Sequence, residues 1–108
     1  MIWYRVRDLD AARTFYAELG FEEIDVNATD GWVTLSRGES SLGLTEGEPE
    51  TDQPVLLIDV DDAKAEAERL RAEGIEVGTV LELHEEMRIV DVYDPDGNRL
   101  QLGEEVRT

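Results

Sequence analysis

The chain has 108 residues, no cysteine and a formal net charge of −17, so disulfides, thiolate metal sites and cysteine nucleophiles are excluded. With 41% hydrophobic and 34% charged residues, it reads as one soluble globular domain, able to bury roughly two-thirds of its unfolded surface. The acidity argues against nucleic acid or an anionic membrane surface as partner. No apolar run reaches transmembrane length and no leader pattern opens the chain, which points to the cytoplasm. The acids are spread along the chain rather than gathered in a tail, the pattern of a strongly solvated surface such as proteins of high-salt cytoplasms carry.

Ile2, Tyr4 and Val6 alternate with Trp3, Arg5 and Arg7, which predicts a strand. Asp8 stands where an N-cap belongs, and Leu9, Ala12, Tyr16 and Leu19 recur at helical spacing until Gly20 ends the helix. Phe21–Val26 reads as a short strand, Asn27–Gly31 as a turn, and Trp32–Ser36 and Ser40–Thr45 as two further strands. Residues 47–54 read as an exposed linker. Val55–Val60 then begins a new strand, Asp62 caps a helix carrying Ala63, Ala67 and Leu70, and Gly74 stops it. Ile75–Val80 is strand-like, Glu82–Glu86 is a polar connection, and Met87–Tyr93 is a strand. Asp94-Pro95-Asp96-Gly97 is a tight turn in which Pro95 presets φ and Gly97 tolerates a positive value. Arg99–Leu102 closes the pattern as a half-buried strand.

The two halves match at an offset of 54: Val6 with Val60, Asp8 with Asp62, Tyr16 with Leu70, Gly20 with Gly74, Phe21 with Ile75 and Glu22 with Glu76. Cap, helix stop and following strand recur in phase, so the chain is a duplicated βαβββ unit. The fold class is α+β, with helices on the outer side of a mixed or antiparallel sheet. Module one covers 1–46, the linker 47–54 and module two 55–108.

Val6-Arg7-Asp8-Leu9-Asp10-Ala11-Ala12, Phe15-Tyr16-Ala17-Glu18-Leu19-Gly20-Phe21 and Asp94-Pro95-Asp96-Gly97-Asn98, set around a duplication, resemble the vicinal oxygen chelate superfamily of glyoxalases, extradiol dioxygenases and bleomycin-resistance proteins. The resemblance implies paired modules whose sheets curl into a U-shaped concave surface. In its metal-dependent members, ligands come from the first and fourth strands of each module. Here those positions are Met1 and Gly43, then Val55 and Gln101. Three of them offer nothing to a hard or borderline cation and the fourth only a neutral amide, so neither a metal nor another cofactor is expected. His84 and Glu86 would share a face if they lay on a strand, but a solvated loop is the simpler reading. Asp94, Asp96 and Asn98 hint at a calcium loop, yet Arg99 stands where that loop needs glycine.

Strand alternation assigns the concave face. It carries Trp3 and Arg5 on the first strand, Leu57 and Asp59 on its counterpart, Trp32 on the third, Asp91 and Tyr93 on the third of module two, and Gln101 on the last. These eight form the candidate ligand site, with aromatic walls and a few polar points. Arg5 and Asp59 are equivalent under the offset and either pair with each other or anchor a ligand separately. Trp3 and Trp32 are either core aromatics or stacking surfaces. Ser36, Ser40 and Ser41 have no base at hand, so no nucleophilic catalyst is assigned.

The reading that follows is a metal-independent small-molecule-binding protein of the bleomycin-resistance type, a homodimer that binds its ligand in the concave cleft for sequestration or sensing. The alternative is a glyoxalase-like lyase, isomerase or dioxygenase with a noncanonical divalent metal site supplied partly by a second chain. A third reading is a partner-binding module that kept the fold and lost the pocket. The charge generates the first prediction: stability against urea rises from low salt to molar salt as self-repulsion is screened. Denaturation midpoints that stay level across that range would remove the high-salt reading.

Overall fold

The computed structural model describes residues 1–83 and 86–105; His84, considered above as a ligand, lies outside them. The elements in chain order are β1 (Ile2–Val6), α1 (Leu9–Glu18), β2 (Glu22–Asn27), β3 (Trp32–Arg37), β4 (Ser40–Glu46), β5 (Leu56–Asp59), α2 (Ala63–Ala72), β6 (Glu76–Val77), β7 (Leu81–Leu83), β8 (Met87–Tyr93) and β9 (Arg99–Glu105). The chain divides into two compact units. The first is Met1–Pro54 with Pro95–Asn98; the second is Val55–Asp94 with the described residues from Arg99 onward.

The first unit has a four-stranded sheet in the order β1-β4-β3-β2 and the second a sheet in the order β5-β9-β8-β6, with β7 also on β8. In each, the first strand runs parallel to the last and the other pairings are antiparallel. This is the expected α+β duplication with mixed sheets. β1 pairs Trp3 with Gly43 and β5 pairs Leu57 with Gln101, so Gly43 and Gln101 are structurally equivalent positions.

Both helices begin and end as the sequence requires. Asp8 accepts from the Ala11 N–H at 3.1 Å and Asp62 from the Ala65 N–H at 3.0 Å. At the other end Gly20 and Gly74 take φ of 88° and 83°. The N–H groups of Phe21 and Ile75 then reach back to the carbonyls of Tyr16 and Leu70, each at 3.0 Å. That is the Schellman closure, which needs a left-handed residue at this one point. In α1 it is reinforced by the Tyr16–Phe21 edge-to-face contact at 5.8 Å. The apolar stripes of the helices pack on the sheet faces bearing Tyr4, Val6, Leu42 and Leu44 in the first unit and Leu100 and Leu102 in the second, all buried.

Module two departs from the expected reading in two places. Ile75–Val80 contracts to the two-residue β6; the Gly78 N–H carries the ladder one step further to the Asp91 carbonyl, and the Gly78 carbonyl accepts from the Arg71 guanidinium at 2.6 Å. The polar connection assigned from Glu82 begins instead inside a strand, β7, whose Glu82 stands opposite Arg88. Arg88 donates to Glu82 and Glu104, its neighbours on β7 and β9, each at 3.1 Å. A cross-strand ion pair thus holds a strand that has no buried face. The Arg88 hydrogen bond and charge hold the Glu82 carboxyl below its usual range. Stabilisation from that pair is present above the ordinary carboxylate range and is lost as pH falls through the lowered value.

Nothing lies within 4 Å of where a Gly74 Cβ would stand, so a side chain there meets backbone strain alone. Gly74→Ala is expected to cost about 1 kcal/mol of unfolding free energy, read by urea titration. An unchanged midpoint would show that the turn relaxes out of the left-handed conformation.

Candidate functional site

β1 lies at the edge of its sheet, and an edge strand exposes one row of backbone donors and acceptors. Three side chains satisfy that row. Gln53 Oε1 accepts from the Arg5 N–H at 2.9 Å, Asn98 Nδ2 donates to the Arg5 carbonyl at 3.2 Å, and the Asp96 carboxylate accepts from the Arg7 N–H at 3.2 Å. Gln53 Nε2 also donates to Asn98 Oδ1. The Asp94–Asn98 motif therefore acts as a side-chain edge to β1, and its aspartate and asparagine oxygens face protein donors. Two ion pairs follow the same line: Arg5 with Glu50 at 3.4 Å and Arg7 with Glu48 at 3.1 Å. Arg5 thus meets a carboxylate from the segment after β4.

This arrangement frames a cavity of about 410 Å³ lined by Trp3, Arg5, Trp32, Thr45, Glu50 and Gln53. Trp3, Arg5 and Trp32, named from the sequence, come together in it. The indoles meet edge to face, with centroids 6.3 Å apart and planes at 78°. Trp3 is 44% exposed, so it is a wall rather than core. Glu50 and Gln53 escaped the sequence reading because they lie in the linker. One signal was available: acids at 48 and 50 have the same two-residue spacing as the arginines at 5 and 7.

The remaining candidates belong to the second unit. Leu57, Gln101 and Asp91 form one row across β5, β9 and β8, and Tyr93 sits opposite Arg99 on the same face. Gln101 Nε2 donates to Asp91 Oδ1 at 3.0 Å, and Arg99 lies 3.6 Å from the other Asp91 oxygen. Asp59 stands apart from that row, in a cavity of about 720 Å³ lined by Val60, Asp61, Gly103, Glu104 and Glu105. Glu104 is buried there because it is used elsewhere: it accepts from the Ala63 N–H at the start of α2 at 2.8 Å and pairs with Arg88.

The sequence model of the Glyoxalase/Bleomycin resistance protein/Dioxygenase superfamily matches residues 1–102. The chain belongs to that superfamily. Solved structures agree on the fold. An integron cassette protein from the mobile metagenome of the Halifax Harbour sewage outfall superposes with a TM-score of 0.83 at 20% identity, over 95% of this chain and 94% of that one. The genomically encoded fosfomycin resistance protein FosX of Listeria monocytogenes gives 0.82 at 19% identity, over 97% and 89%. A bleomycin-binding protein complexed with bleomycin gives 0.75 at 23% identity, over 95% and 94%. No curated protein sequence matches the chain. No helix among the described residues is long and apolar enough to cross a membrane.

The metal centre of the superfamily's metal-dependent members finds no donor set at the matching positions. Met1, Val55 and Gly43 carry no hard ligand, and the amide of Gln101 is engaged with Asp91. At Gly43 a Cβ would stand 2.4 Å from Cε3 of Trp3, so any ligand side chain there would have to displace the indole. Among the described residues no other cluster of three or more His, Asp or Glu side chains is placed to hold a metal ion.

The edge contacts of β1 yield a prediction. Asn98 is buried, so Asn98→Ala strips the Arg5 carbonyl and Gln53 of a partner and is expected to cost about 1–3 kcal/mol by denaturant titration. Loss well below that range would mean that water replaces the side chain on the strand edge.

Proposed function

We propose that this protein is a metal-independent small-molecule-binding protein that takes a planar cation at Trp3, Trp32 and Glu50. The observation that carries this reading is the cavity bounded by two perpendicular indoles and a carboxylate. Its size of about 410 Å³ lies within the roughly 300–1,000 Å³ typical of small-molecule sites. Indole faces attract planar and cationic groups alike. Arg5 and Glu50 are each more than half exposed, and ion pairs of that kind are worth only about 0–1 kcal/mol. A ligand cation can therefore take over the Glu50 carboxylate at little cost, and the net charge of −17 favours its approach. The bleomycin-bound relative is an instance of this fold holding a small molecule. The same reading carries a homodimer in the cytoplasm that sequesters its ligand.

The test is titration with N-methylacridinium, a planar aromatic cation, followed by tryptophan fluorescence and calorimetry. Choline and anthracene-9-carboxylate serve as the non-planar cation and the planar anion. The acridinium is expected to bind with the highest affinity of the three, and Trp3→Ala and Trp32→Ala each to weaken it about tenfold, or 1.4 kcal/mol. Equal affinity for the planar anion, or no effect of either tryptophan variant, would overturn the reading.

A further inference from the structure

We infer that Gly43 is a positioning residue: by lacking a side chain it lets the Trp3 indole cross β4 and stand against Trp32. The inference rests on the functional reading above for its consequence in binding, and on the sheet geometry for the placement itself. Neighbouring strands lie roughly 4.8 Å apart, so β1 and β3, separated by β4, are about 9.6 Å apart. Trp3 and Trp32 project from those two strands, one residue pair out of step along the sheet, since Trp3 pairs with Gly43 while Trp32 pairs with Thr45. The ring centroids are 6.3 Å apart, so the two side chains close the gap left by the intervening strand.

The path between them runs over Gly43. A Cβ at that position would stand 2.4, 2.5 and 2.6 Å from Cε3, Cδ2 and Cζ3 of Trp3, so the indole rests directly on the glycine backbone. Gly43 is buried, although Trp3 itself is 44% exposed. The glycine has no positive φ to account for it; close approach of the ring is what requires it. The second unit shows what the row looks like without this device. There Gln101 occupies the equivalent position and its side chain is held by Asp91, while Leu57, in the place of Trp3, leans on Gly103, within 3.1 Å of where a Cβ would stand. A position from which metal-dependent relatives present a ligand is thus, in the first unit, the seat of an aromatic wall.

Gly43→Ala tests this, with Trp3→Leu as the signature of a missing ring. Gly78→Ala serves as the glycine control, because the nearest atom to its Cβ would be 3.6 Å away. The first readout needs no ligand: two indoles in edge contact couple excitonically, and the couplet is read by circular dichroism. Gly43→Ala is expected to lose the couplet to the level of Trp3→Leu, and to raise the N-methylacridinium Kd about tenfold. Gly78→Ala keeps both. If Gly43→Ala does not fold, the double variant Gly43→Ala with Trp3→Leu is expected to restore folding, since it removes the clash; failure of that rescue would count against the seat. A wild-type couplet and wild-type affinity in Gly43→Ala would overturn the inference. Loss of the couplet with affinity retained would overturn the role in binding while leaving the cavity reading intact. If the wild type itself does not bind N-methylacridinium, the functional reading falls, and loss of the couplet in Gly43→Ala still supports the seat.

Discussion

Everything on the binding side of the first unit depends on the free edge of β1 being satisfied. The backbone groups of Arg5 and Arg7 on that edge have no strand beside them within their sheet, and leaving such groups unpaired is costly wherever water is restricted. Gln53, Asp96 and Asn98 stand in for the missing strand with side-chain oxygens and nitrogens. Because the substitutes are side chains rather than backbone, they bring two distant stretches of sequence to β1. One of them, the segment after β4, supplies Glu50 and Gln53 to the cavity wall. The contact that holds the strand therefore also builds the site.

The two units share a topology but not a surface. In the first, a glycine at the centre of the row opens a path for one indole to reach another. In the second, a glutamine at the same place is tied to an aspartate, and that aspartate to an arginine. One duplicated frame thus presents an aromatic face once and a polar, hydrogen-bonded face once. The difference lies in single side chains at matched register positions, which a sheet tolerates because each residue contributes to only one face.

Much of the fold was legible without coordinates. Asp8 and Asp62 as caps, Gly20 and Gly74 as left-handed stops, and the inward faces of β1, β4 and β9 all follow from local rules with periods of 3.6 and 2, and all are present. β7 was not legible, because Leu81 and Leu83 are exposed and its pairing with β8 leaves no buried alternation to read. Among the site candidates, the strand register has Trp3, Arg5 and Trp32 sharing one face, and Leu57, Asp59, Asp91, Tyr93 and Gln101 sharing another. Alternation could not say which of them share a cavity, since that depends on what covers the sheet.

By itself, then, the sequence determined the duplicated βαβββ plan, the helix ends, the inward faces of β1, β4 and β9 and the residue types at Met1, Gly43, Val55 and Gln101. Those are properties of residue type and near-neighbour spacing. Only the tertiary structure decided that Asn98 and Gln53 close the edge of β1, that Arg5 meets Glu50, that Glu104 sits buried over the start of α2, and that the Trp3 ring lies on Gly43. Each of these joins residues about 40 or more positions apart, and their partners are chosen by which backbone groups and faces remain unsatisfied once the sheets have formed.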